Sequence, residues 1–247
     1  MGEIFNRMNF YANLFTGLSL FCGFVSIVFS LESHFTFASW AIIFSAVFDG
    51  LDGQVARINP IPSEFGKEYD SLVDVVSFGI APAILGYIFI YHEFYLWASA
   101  ALFIYLFCSI LRLAKYNITS KDTMKNYFYG LPTTVSGGVL ASFILIYRKK
   151  GEMCLPCFLP KILLTNFMPF IFFLLVLVLA FLMVSRIRYS NLDGLKQILG
   201  RKTKLIIIAV ITILFIARLF EKLGVTIFTF LLIYLISPIF YGKKIKQ

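Results

Sequence analysis

Long apolar runs separated by short polar segments dominate the chain. Eight of them read as spans, at about 10–31, 35–56, 70–91, 95–114, 131–147, 162–184, 205–221 and 224–241. A helix needs about 20 apolar residues to cross a bilayer. The pattern therefore predicts an all-α, polytopic transmembrane helical bundle of about eight spans. The first run is too long for the apolar stretch of a cleavable signal and lacks a small-residue cleavage site, so it is expected to stay as a span. No internal repeat or low-complexity tract interrupts the pattern. A polar segment, 185–204, precedes the last two runs, which look like an appended hairpin. The expected organisation is a transmembrane core over 1–190, with an inner loop and two-helix addition over 191–247.

Composition agrees. Of the 247 residues, 60% are hydrophobic and 14% charged, and the mean hydropathy is +0.86, which excludes an ordinary soluble domain. The net charge of +9 sits between the apolar runs. That placement argues for positive-inside topology and attraction to anionic head groups, with no nucleic-acid partner. With the N-terminus inside, the inner segments hold Arg7, Arg57, Lys67, Lys115, Lys121, Lys125, the basic loop from Arg186 to Lys204, and Lys243, Lys244 and Lys246. Both termini are then expected in the cytoplasm, although the cluster Arg148, Lys149 and Lys150 departs from the rule. Cys22 and Cys108 fall inside spans and are expected to pack. Cys154 and Cys157 form one CxxC, short of the four ligands of a structural zinc site. His34 and His92 lie in outward loops without nearby ligand partners, and neither is expected to be catalytic.

Charge inside the spans changes the picture. The second span ends in SAVFDGLDGQVAR and the third opens with DSLVD. A carboxylate within a span costs about 2.5–3.5 kcal/mol on insertion scales and usually marks function. Asp49 and Asp52 are spaced i, i+3, and Asp70 and Asp74 i, i+4, so each pair shares one helix face. Two adjacent antiparallel helices would present four carboxylates to each other near the inner surface. A divalent cation offsets their repulsion, and an all-oxygen set suits Mg²⁺ or Mn²⁺. Phosphoryl chemistry often uses two such ions. Gly53, Ala56 and Gly66 leave room for a ligand against the backbone, and Arg57 can grip phosphate oxygens in a bidentate fashion. A plainer reading makes Asp49 and Asp52 interfacial and Asp70 a helix cap. It leaves Asp74, one turn deeper, unexplained.

The run D49-G50-L51-D52-G53-x2-A56-R57-x8-G66-x3-D70-x3-D74 resembles the signature of the CDP-alcohol phosphotransferases at each fixed position. The resemblance covers about the first six spans. It implies that Asp49, Asp52, Asp70 and Asp74 bind metal and that Asp74 is also the base for the acceptor hydroxyl. It further implies that Gly53, Ala56, Arg57 and Gly66 line the CDP site, with Asn13 and Thr16 beside the cytidine. A homodimer in the cell membrane, with its active site facing the cytoplasm, is implied as well.

The segments SFGIAPA (77–83), RLAKYN (112–117), FYGLPTT (128–134) and LMVSRIRYSN (182–191) are similar to those of the phosphatidylserine synthase branch. Two positions depart from it: Lys115 stands for an expected arginine, and Thr134 for a common second proline. The branch implies CDP-diacylglycerol and L-serine as substrates. Serine would need a cation for its carboxylate, and Arg112 and Lys115, with Asn117, are the candidates. The same residues also fit simple anchoring at the inner face. Glycerol 3-phosphate or inositol remain alternative acceptors. A cation transporter or channel is the alternative of another class, disfavoured because the carboxylates cluster at one face.

Overall fold

The computed structural model describes residues 2–58, 64–90, 95–118, 127–148, 161–190 and 227–235. Its elements are α1 (Gly2–Leu31), α2 (Phe35–Ile58), α3 (Glu64–Asp74), a π-helical segment (Val75–Ile80), α4 (Ala81–Ile90), α5 (Tyr95–Ile118), β1 (Tyr127–Tyr129), α6 (Thr133–Arg148), α7 (Lys161–Val184) and β2 (Arg188–Ser190). A further short helix runs over 227–235. Four described stretches, Ala12–Leu31, Phe35–Val55, Glu64–Ile90 and Leu96–Ile118, are long and apolar enough to cross a membrane. Thr133–Ile146 and Pro169–Val184 are shorter apolar helices. The expected seventh span, His92, Cys154 and Cys157 lie outside the described residues.

The outward faces fit lipid. Phe21, Phe24, Leu31, Phe103, Phe107 and Phe181 are all exposed, as the bilayer tolerates and water does not. The interior mixes aliphatic residues with buried serines. Ser19 and Ser45 join α1 to α2, their hydroxyls 2.8 Å apart, and Ser77 donates to the Ser19 carbonyl at 3.1 Å. Small polar residues let helix backbones approach where lipid supplies no hydrophobic drive. Gly23 shows this: a Cβ there would meet the Ser77 backbone at 2.9 Å.

The third span is one continuous rod, α3–π–α4, with a defect at its centre. Pro82 has no N–H, so a helical carbonyl before it loses its partner. The Phe78 carbonyl instead accepts from the Tyr105 hydroxyl of α5 at 2.9 Å, and the Ala81 N–H bonds the Val76 carbonyl in π register. Such π segments often sit at functional sites, and this one begins at the residue after Asp74.

Among the described residues the bundle is helical except for one two-stranded ribbon, which the all-α expectation does not contain. β1 and β2 pair antiparallel, with Phe128 opposite Tyr189. Gly130 makes the turn off β1 possible. Its φ is +79°, and a Cβ there would overlap the Met183 carbonyl oxygen. Its N–H bonds the Ile187 carbonyl at 2.9 Å, and Leu131 N–H bonds the Leu182 carbonyl at 3.0 Å. The ribbon thus ties the start of α6 to the end of α7. The 227–235 helix packs on this unit, with Tyr234 stacked on Tyr189 at 5.8 Å and Phe228 against Phe143 at 5.9 Å.

Candidate active site

Asp49 and Asp52 lie towards the C-terminal end of α2, and Asp70 and Asp74 in the last two turns of α3. Asp70 stands six residues inside a helix that begins at Glu64, so it is not a cap. The fold brings three of the four together: one carboxylate oxygen each from Asp49, Asp70 and Asp74 lies within 4.8 Å of the others. Asp52 is outside that group. It is buried beside Thr16 and the charges of Asp70 and Asp49. Thr16 is itself buried, donating to the Ala12 carbonyl at 3.0 Å.

The donor set fits a hard divalent cation. Asp52 Oδ2, Asp70 Oδ1 and Asp74 Oδ1 are buried oxygens without a hydrogen-bond partner. Buried, unpartnered carboxylate oxygens are costly. A cation accepting several of them at once removes that cost, and the all-oxygen chemistry matches Mg²⁺ or Mn²⁺.

The other faces of the carboxylates are held by α6. Thr134 donates to Asp49 Oδ2 at 3.2 Å and Thr133 to Asp74 Oδ2 at 3.4 Å. Arg112 Nη1 donates in turn to Thr133 Oγ1 at 2.9 Å. The two threonines open α6, so the positive end of its dipole lies beside the anionic cluster. Sequence reasoning did not assign either threonine to the site. The only signal was Thr134 standing where a proline is common.

Next to this cluster opens a cavity of about 630 Å³, lined by Leu111, Arg112, Lys115, Tyr116, Tyr129, Met183, Val184, Ser185 and Arg186. Arg112 and Lys115 are thus brought to one wall, and Arg186 joins them from beyond α7. Asn117 is not in that lining. Its side chain exchanges hydrogen bonds with Ser71 and donates to Glu68, tying α5 to α3. Tyr189, under the ribbon, is buried against Tyr234, and that burial pushes its phenol up to about 12.

The remaining predicted residues line α1, α2 and α3. Gly53 is exposed, and a Cβ there would meet nothing within 4 Å. That leaves open space over the backbone where a ligand could lie. Gly66 is half-buried one turn before Asp70, and Asn13 half-buried one turn before Thr16. Ala56 and Arg57 continue α2, but their side chains lie outside the described ones.

The family model for CDP-alcohol phosphatidyltransferase matches residues 9–164, well over half of the chain and every carboxylate of the site. The chain belongs to the CDP-alcohol phosphatidyltransferase family. Among its relatives is a Helicobacter pylori (strain ATCC 700392 / 26695) protein named CDP-diacylglycerol–serine O-phosphatidyltransferase. It is 31% identical over 240 residues, covering 97% of this chain and 95% of that one. An archaetidylserine synthase of Methanothermobacter thermautotrophicus is 32% identical over 187 residues, covering 74% and 70%. The Saccharomyces cerevisiae CDP-diacylglycerol–serine O-phosphatidyltransferase is 33% identical over 152 residues, covering 56% and 54%. This CDP-alcohol phosphatidyltransferase carries its acidic cluster on the two helices that supply the sequence signature, and its cavity wall partly beyond the matched region.

Proposed function

We propose that the chain transfers a phosphatidyl group from CDP-diacylglycerol to the hydroxyl of L-serine, giving phosphatidylserine and CMP. The observation that carries serine over other acceptors is the likeness to the Helicobacter enzyme, which spans 97% of this chain and so includes the cavity as well as the carboxylates. The cationic wall of Arg112, Lys115 and Arg186 supports it, since a zwitterionic acceptor needs a partner for its carboxylate.

Asp49, Asp52, Asp70 and Asp74 would hold divalent metal, Mg²⁺ or Mn²⁺. When bound, the metal neutralises charge on the diphosphate. Asp74 takes the proton of the serine hydroxyl on Oδ1, the oxygen left without a partner, acting as general base. The serine oxygen then bonds to the lipid-side phosphorus while the bond to CMP breaks. Gly53, Ala56, Arg57 and Gly66 flank the CDP site, with Arg57 on the diphosphate and Asn13 and Thr16 towards the cytidine. The arrangement is an eight-span homodimer in the cell membrane, with both termini and the carboxylates towards the cytoplasm. Residues 1–190 form its core and 191–247 its addition.

The test offers labelled serine, glycerol 3-phosphate and inositol separately to purified protein with CDP-diacylglycerol in mixed micelles. Serine should enter lipid with matching CMP release, only with Mg²⁺ or Mn²⁺ present. Incorporation of another acceptor in preference to serine would overturn the assignment.

A further inference from the structure

We propose that Thr133 is a positioning residue that passes the hold of Arg112 on to Asp74 and fixes which oxygen of Asp74 faces the reaction; this rests on the reading of Asp74 given above. The direction of each bond follows from the groups. Arg112 Nη1 lies 2.9 Å from Thr133 Oγ1, and a guanidinium has donors only. The threonine hydroxyl is therefore the acceptor there, and its own proton is available. That proton goes to Asp74 Oδ2, 3.4 Å away. Donation runs one way, from Arg112 through Thr133 to Asp74.

The hydroxyl is held in place. Thr133 is fully buried, and its carbonyl accepts from Ser136 Oγ at 2.8 Å. Ser136 in turn lies 3.1 Å from the Tyr105 hydroxyl, which caps the carbonyl freed beside Pro82. Pro132, immediately before Thr133, has a locked φ. The terminal torsion of an aspartate is broad, so a carboxylate without a fixed donor can exchange its two oxygens. Here the relay engages Oδ2, while Oδ1 has no partner and is left for metal or the acceptor proton. Partners of this kind orient ligating carboxylates, and their loss typically lowers metal affinity or activity ten- to hundredfold.

The deciding variants are Thr133→Val, which keeps the branched shape and loses the hydroxyl, and Thr133→Ser, which keeps the hydroxyl. Full-length protein in detergent is titrated with Mn²⁺, free ion being read by electron paramagnetic resonance, and kcat and KM are measured alongside. Thr133→Val should lose ten- to hundredfold in Mn²⁺ affinity and in kcat, with KM for serine nearly unchanged. Thr133→Ser should stay close to wild type in both. Wild-type Mn²⁺ binding and kcat in Thr133→Val, or equal impairment of both variants, would overturn the relay. If Thr133→Val aggregates on gel filtration, Thr133→Ala is read by the same measures. The Mn²⁺ titration uses no acceptor, so an error in the serine assignment does not alter what it reads.

Discussion

Replacing Asp49 by asparagine should stabilise the metal-free protein while disabling it. The ligand atoms of Asp49, Asp70 and Asp74 lie within 4.8 Å of one another, so each ionised pair repels by at least about 3.5 kcal/mol at an effective dielectric of about 20. Asp49 takes part in two such pairs, which places about 7 kcal/mol of repulsion on one side chain before nearby cations reduce it. Asparagine has the same shape, and its carbonyl oxygen still accepts from Thr134. If a quarter of the repulsion survives in the protein, the relief of about 2 kcal/mol raises Tm by about 4–8 °C for a chain of this size. The opposite happens with metal. Wild type gains about 2.7 kcal/mol at a hundredfold excess of ion over Kd, and the variant, short of one anionic ligand, should gain little. Scanning fluorimetry of both proteins in chelator and in Mn²⁺, beside CMP release, reads each term. A lower Tm for Asp49→Asn in chelator, or an unchanged response to Mn²⁺, would refute the crowded-carboxylate argument.

Two further outcomes follow from single positions. Asp74→Asn should fold and elute as wild type on gel filtration yet release no CMP from CDP-diacylglycerol and serine; near-normal turnover would remove Asp74 as the base. Gly130→Ala forces a side chain into φ +79° against the Met183 carbonyl. The left-handed backbone alone costs about 1–2 kcal/mol, so Tm should fall and, because Tyr129 and Met183 line the cavity, KM for serine should rise.

The carboxylates were legible in the sequence because charge in an apolar span is costly enough to need a reason. The i, i+3 and i, i+4 spacings were sufficient to place Asp49, Asp70 and Asp74 on facing surfaces. Sequence did not separate Asp52 from the trio, since that depends on how α2 and α3 cross. Thr133 carried no local signal and Thr134 only its place where a proline is common: threonine after proline is an ordinary way to begin a helix, and their partners lie 59 and 85 residues away. Asn117 looked like a companion of Lys115, but where α5 meets the middle of α3 its amide turns to Ser71 and Glu68. The ribbon was hidden because each strand is three residues long, too short for any period to show. Pro82 stood in the sequence only as part of SFGIAPA, and the tyrosine that answers it, Tyr105, is known only from the packing.

On the proposed reading, the acceptor cavity straddles the boundary of the family match. Residues 9–164 contain the carboxylates, both threonines and Arg112, which on the proposed reading together make a site for activating a hydroxyl against a diphosphate. The cavity beside it takes its second wall from Met183, Val184, Ser185 and Arg186, all beyond the match. This wall is held by the Gly130 turn and by the β1–β2 pairing, with Tyr234 of the 227–235 helix stacked behind Tyr189. On the proposed reading, a change of acceptor can be accommodated in part by altering the end of α7 and its backing without disturbing α2, α3 or the start of α6. The signature then specifies the reaction, and serine is distinguished from other alcohols by Arg112 and Lys115 together with the segment from Met183 to Arg186.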